Sequence, residues 1–357
     1  MANIFDYLND VAYDSFYDLP VNELDVLALT ELTYLPFDDL VAQEPKRLID
    51  LAHQIPRETT MLTNKNRLQL LDQLSQHKRF KNCKLSNFIN DIDPELQKQF
   101  AAMTYRISLD TYLLVFRGTD DSIIGWKEDF HMTYMKEIPA QKHALQYLQD
   151  FFAQHPNQKV ILAGHSKGGN LAVYATSHLE PLLQKNIVAV YTFDAPGLHK
   201  ELTETTGYQN IMERTKVFVP QGSIIGMMLE IPDKKIVVRS TALGGIAQHD
   251  TFSWQVEDKH FVQLDETNSD SQQVDTTFKE WVETVPDTEL QLYFDLFFGI
   301  ILDAGISSIN DLSSFKVIEH IHHLFVQAQS LTPEERETMG RLTQLLIDTR
   351  YQAWKNR

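Results

Sequence analysis

Cysteine is almost missing from this 357-residue chain: Cys83 is the only one, so no intrachain disulfide can form. That fits a reducing compartment. Basic residues are also scarce, with 32 Lys and Arg against 49 Asp and Glu and a formal net charge of -17. So acidic a surface repels phosphate backbones, which argues against nucleic-acid binding, and it disfavours adsorption to anionic membranes. The local basic run Gln76-His77-Lys78-Arg79-Phe80-Lys81 reads as a solvated helix end or loop. No long uncharged apolar segment is present either. The most apolar stretch, Leu290 to Ile306, carries Asp295 and Asp303, which makes it an amphipathic or core helix and predicts no stable membrane insertion. The start, Met1-Ala2-Asn3-Ile4-Phe5-Asp6, lacks the basic residues and apolar run of a secretory signal. These absences together predict a soluble cytoplasmic protein.

Hydrophobic residues make up 43% of the chain and charged residues 23%, enough to bury a sizeable core. Residues 1 to 100 read mostly as helices and turns, a helical N-terminal extension with Leu24, Leu27, Leu29 and Leu32 as apolar positions. From Met103 the pattern changes. Two β-like runs, Tyr105 to Leu109 and Tyr112 to Phe116, flank the turn Asp110-Thr111. A helix is expected around Ala140 to Gln154, a buried strand at Val160 to Ala163, and a helix from Asn170 to Leu183. Further strands are expected at Val188 to Phe193, Val217 to Val219 and Ile236 to Val238. Strand and helix in alternation predict an α/β core over 101–265 with a mostly parallel central sheet. Asp265 to Gln273 reads as a linker or surface loop, and 266–357 as a helical appendage with a start at Leu331-Thr332-Pro333-Glu334-Glu335.

The strongest chemical signal is Gly164-His165-Ser166-Lys167-Gly168-Gly169, placed between a buried strand and a helix. This is the context a G-x-S-x-G nucleophile elbow requires. A serine on so tight a turn sits at an unusual backbone conformation, so Gly164 and Gly168 must be small. The following helix aims its first N–H groups at the site, where negative charge develops during acyl transfer. An elbow of this kind implies an α/β-hydrolase fold with Ser166 as nucleophile and an ester or related acyl bond as target.

Val115-Phe116-Arg117-Gly118-Thr119, Trp126-Lys127-Glu128-Asp129-Phe130 and the elbow together resemble the class 3 (fungal-type) lipase pattern over about residues 100 to 255. The chain resembles more closely, over most of its length, a bacterial lipase-like family described only as a domain of unknown function. By this resemblance the oxyanion-hole N–H groups are those of Thr119 and Lys167, and Ser122 to Phe130 is a candidate lid. The other reading of that segment is a fixed helix with Trp126 packed in the core.

The general base should be a histidine after the elbow: His178, His199, His249, His260 or the group His320, His322, His323. His249, after the last strand candidates, matches the histidine loop of the lipases, whereas His165 reads as a packing residue. Class 3 lipases carry an aspartate just after the strand corresponding to Lys216 to Pro220, but here Gln221-Gly222-Ser223 follows it. Asp194, at the end of the preceding strand, is the alternative third member, with Asp233 and Asp250 as fallbacks. It could instead cap the turn before Pro196. An acid-less Ser-His dyad remains open, because the acid orients the imidazole without making bonds. No metal site or cofactor is expected. The expected partner is a small acyl-ester or lipid-like substrate, and the alternative is a non-catalytic relative that serves as a binding or scaffolding module.

Overall fold

A computed structural model describes residues 1–58, 62–93, 95–120, 123–232, 234–306 and 326–355. Helices α1 (Ile4–Asp10) and α2 (Glu23–Leu32) open the chain. Each starts at an asparagine cap, Asn3 or Asn22, with an aspartate three residues on closing a capping box. Next come β1 (Lys46–Arg47), α3 (Leu48–Leu51), α4 (Leu62–Gln76) and strands β2 (Lys84–Asp93), β3 (Lys98–Arg106) and β4 (Thr111–Phe116). Helices α5 (Ile123–His131) and α6 (Pro139–Gln154) lead into β5 (Lys159–His165), α7 (Lys167–His178) and α8 (Pro181–Gln184). Then follow β6 (Ile187–Phe193), α9 (Lys200–Thr203), α10 (Thr206–Met212), β7 (Thr215–Pro220) and β8 (Ile236–Val238). Short strands β9 (Val256–Glu257), β10 (His260–Phe261) and β11 (Gln263–Leu264) precede α11 (Ser269–Thr284), α12 (Asp287–Asp303) and α13 (Pro333–Lys355).

The large sheet has the order β1-β2-β3-β4-β5-β6-β7-β8-β11. Strands β4 to β8 pair in parallel, while β1, β2 and β3 on one flank and β11 on the other pair antiparallel. The expected mostly parallel sheet is therefore mixed, with its parallel part at the centre.

Period-two alternation along the central strands feeds two cores. Leu113, Val115, Ile161 and Ala163 face one side with α1, α2 and α4. Tyr112, Leu114, Phe116, Val160 and Leu162 face the other with α6, α7 and α10. The N-terminal helices pack on the sheet as one layer of a three-layer sandwich, and β3 runs from Lys98 to Arg106 across residue 100. Helix α2 is buried on every side, and its carboxylates are paired: Asp25 with Arg79 at 2.5 Å, Glu31 with Arg67 at 2.9 Å. Arg79 and Phe80 are consequently buried, so the basic run after α4 is solvated only in part.

Strand β2 is the element the sequence pattern misses. Its register shifts between Ser86 and Ile89, with Asn87 at φ 53°, so its side chains do not alternate cleanly. The expected loop at 265–273 is shorter than its polar composition indicates, because Asn268 caps α11 and the helix begins at Ser269. Helices α5, α11, α12 and α13 share a separate apolar cluster built around Trp281, Phe294 and Phe298. No helix among the described residues is long and apolar enough to cross a membrane.

Candidate active site

Strand β5 ends at His165, and α7 begins at Lys167. Ser166 makes the whole turn between them, at φ 56° and ψ -136°. That conformation is strained for any residue with a Cβ. Neighbouring glycines make it possible: a Cβ on Gly164 would lie 2.0 Å from the Gly168 carbonyl carbon, and one on Gly168 2.0 Å from the Phe116 carbonyl oxygen. Both obstacles are backbone and cannot rotate away. Gly168→Ala is accordingly expected to cost at least about 2 kcal/mol by forcing α7 off β4, read as a lowered thermal midpoint. An unchanged midpoint would contradict this packing.

Asp194 follows β6 at φ 44°, and its N–H donates to the Phe218 carbonyl at the end of the adjacent β7. Its carboxylate is fully buried. Oδ2 lies 2.6 Å from His249 Nδ1, while Oδ1 accepts from Ser223 Oγ and from the Gly226 N–H at 3.1 Å. The loop after β7, where an aspartate is absent, thus holds an aspartate supplied by β6. His249 closes the 3-10 turn Ala247–His249, and its ring lies over that of His165, with centroids 4.3 Å apart. Ser166 is 6% exposed and the His249 side chain 18%. The Ser166 hydroxyl makes no hydrogen bond to His249 in this structure; such contacts often tighten only when substrate binds.

The structure brings Ser166, His249 and Asp194 to one edge of the sheet, at the C-terminal ends of parallel strands. It does not bring the other late histidines there. His178 Nδ1 bonds the Tyr174 carbonyl, His260 Nδ1 pairs with Glu23 at 2.7 Å, and His199 lies on a groove beside α11. His320, His322, His323 and Asp233 lie outside the described residues, as does Ser122, the first residue of the candidate lid. Asp250 caps the turn at Phe252 N–H and does not contact the His249 ring.

Thr119 and Lys167 flank Ser166 from two sides. Among the described residues neither backbone N–H has a protein acceptor, so both remain open donors. Their side chains turn away into one buried network. Lys167 Nζ pairs with Glu128 at 2.6 Å and Asp129 at 3.5 Å, and Thr119 Oγ1 donates to Asp129 at 2.6 Å. Burial works against the Lys167 ammonium, but Glu128 and Asp129 outweigh it and hold its pKa above the usual lysine value. Burial raises Asp129 to about 6, against the pull of Lys167 and the Thr119 hydroxyl. Glu128, fully buried, also accepts the N–H groups of Gln99 and Ala140. These bonds, with Trp126 and Phe130 packed on the C-terminal cluster, tie α5 to Lys167, to β3 and to the start of α6 in this structure.

His131 ends α5 with its Nε2 buried and, among the described residues, without a hydrogen-bond partner, and burial lowers its pKa to about 4. The folded state therefore takes up fewer protons there than the unfolded chain. Stability is full above pH 6.5 and is lost as pH falls towards 4. Between pH 7 and pH 5 the loss is about 2 kcal/mol. His131→Phe should remove that increment from the acid side. Equal midpoint shifts in variant and wild type over this interval would contradict it.

Ser223, Gly226 and Tyr34 are site residues that sequence reasoning gave no role, because their partners are set only by the tertiary fold. Among the described residues no group of three His, Cys, Asp or Glu side chains could hold a metal ion.

A profile described as Mbeg1-like matches residues 74–299, and the chain belongs to that family. Solved structures similar to it include M37 lipase (15% identity, 57% of this chain and 67% of the other covered, TM-score 0.37). A mono- and diacylglycerol lipase from Aspergillus oryzae gives 15% identity, 74% and 87% coverage, and a TM-score of 0.41. An MDLA structure from Penicillium cyclopium gives 13%, 69%, 87% and 0.44. Among curated proteins no sequence matches.

Proposed function

We propose that the chain is a serine hydrolase of the α/β-hydrolase type that cleaves a carboxylic ester or related acyl bond. The observation that carries this reading is the Asp194–His249 pair, assembled beside a strained elbow serine from loops 55 positions apart. In this mechanism Ser166 Oγ attacks the acyl carbon while His249 Nε2 accepts its proton. Asp194 fixes the Nδ1–H tautomer and stabilises the imidazolium that forms. The N–H groups of Thr119 and Lys167 receive the tetrahedral oxyanion. His249 then returns the proton to the leaving alkoxide, and water repeats the sequence on the acyl-enzyme.

The substrate class that this chemistry takes is a small acyl ester or a lipid-like ester. A groove of about 570 Å³ runs between α11 and the segment after Asp194. Leu198, Leu229, Phe278 and Val282 supply apolar lining, beside the charged Lys200, Lys279, Glu230, Glu283 and Asp287, and neither Ser166 nor His249 lines it. The test is turnover of aryl esters of graded acyl length and of lysophospholipids by purified protein. Saturable hydrolysis supports the reading. Absence of turnover on every ester, by a folded protein, overturns it in favour of a non-catalytic binding module.

A further inference from the structure

Tyr34, which follows α2 in the N-terminal layer, reaches into the site from a different direction. Its hydroxyl lies 3.1 Å from Gly118 N and 3.0 Å from His165 Nδ1. A phenol has one proton. The Gly118 N–H donates to it, and because the His249 carbonyl facing His165 Nε2 can only accept, a neutral His165 ring takes the phenol proton at Nδ1. That leaves the His165 proton on Nε2, which is 3.0 Å from the carbonyl oxygen of His249 and donates to it. The result is one directional chain, from Gly118 N–H through Tyr34 and His165 to the His249 backbone. It joins the oxyanion loop, the elbow and the histidine loop, segments the sequence keeps far apart.

The surroundings hold each link in the required state. Burial, then the neighbouring His249, pushes the His165 pKa well below the usual histidine value, so the ring stays neutral. Burial and Glu31 raise the Tyr34 pKa, so the phenol stays protonated. Arg67 stacks 3.9 Å from the Tyr34 ring centroid and pairs with Glu31. The same Glu31 accepts Thr251 Oγ1 at 2.8 Å, two residues beyond His249, and lies 3.8 Å from His165 Nδ1. At Gly118 an added Cβ would meet Tyr34 Oη at 2.4 Å, so oxyanion loop and phenol fit with no slack.

We infer that Tyr34 and His165 are positioning residues: their hydrogen-bonded chain sets the oxyanion loop, nucleophile and histidine loop against one another. This rests on the hydrolase reading above. Neither residue supplies a group to the bond-making steps proposed above, although the His165 ring packs against that of His249. Fixing the Gly118 peptide aims the following Thr119 N–H, and fixing the His249 carbonyl orients the loop that carries the imidazole.

Tyr34→Phe removes one oxygen and keeps the ring under Arg67. It should lower kcat about 10- to 100-fold with KM within about threefold, after normalisation to sites titrated with a fluorophosphonate. A merely structural role would lower the titrated fraction and leave kcat per site intact. Side-chain ¹⁵N NMR reads the chain of bonds directly, with or without a foldable variant. In the wild type His165 should show the neutral Nε2–H form from pH 5.5 to 8.5, and in Tyr34→Phe the Nδ1–H form should become populated. A wild-type His165 that titrates in this range or carries its proton on Nδ1 overturns the inference, as does an unchanged kcat per site. Wild-type turnover beside an equally fast Tyr34→Phe defeats this inference alone. A wild type without turnover defeats the hydrolase reading and this inference together.

Discussion

Ser166→Ala is expected to lower ester turnover by about 10⁶-fold, the scale seen when an activated serine is removed from a working triad. The thermal midpoint should stay nearly the same. Alanine keeps the Cβ and therefore the strained φ of 56°, while the lost hydroxyl makes no hydrogen bond among the described residues. Ser166→Gly separates the two effects. It should be equally inactive but more stable than Ser166→Ala by about 1 kcal/mol, because glycine adopts positive φ without strain. Initial rates on an aryl ester, with melting curves of both variants, check this. Residual turnover at more than a percent of wild type would place the nucleophile elsewhere.

Asp194→Asn is expected to cost about 10⁴-fold in kcat. The side chain is isosteric, and its oxygen can still accept from Ser223 and the Gly226 N–H, so folding should survive. The other terminus becomes an N–H₂ facing His249 Nδ1. It can only donate, which drives the imidazole proton to Nε2, and a protonated Nε2 cannot accept the serine proton. Comparison of kcat for the two proteins, each normalised to folded protein by its melting transition, decides it. A loss of less than about tenfold would reduce Asp194 to a structural anchor for the loop after β7.

The parts of this site that were legible in the sequence are those fixed by local backbone geometry. The elbow demands small residues at set offsets, between a buried strand and a helix, and Gly164, Ser166 and Gly168 stand there in order. The central strands were legible because each is a short apolar run bounded by turn residues. Asp194 was legible only as a candidate, since its choice over the empty position after β7 depends on two strand ends meeting. The Asp194 N–H to Phe218 carbonyl bond records that meeting. Strand β2 escaped because a bulge breaks its period, and of its antiparallel neighbour β3 only the end at Tyr105 and Arg106 was read as strand. The role of Tyr34 was out of reach in principle. Its partner His165 is 131 positions away, and nothing in a local window marks a tyrosine after a helix as part of a catalytic edge. The candidate lid shows the same limit: the sequence left that segment as a lid or a fixed helix, and the buried Glu128–Lys167 pair that joins it to the elbow is visible only in the tertiary fold.

The most direct test of Ser166 as an activated nucleophile is labelling of the purified, folded chain with a fluorophosphonate, read by intact mass and peptide mapping. The structure predicts one adduct per chain, on Ser166, with none in Ser166→Ala. A folded wild-type protein that takes up no label, or takes it up at another residue, would contradict the assignment of this elbow as a catalytic site.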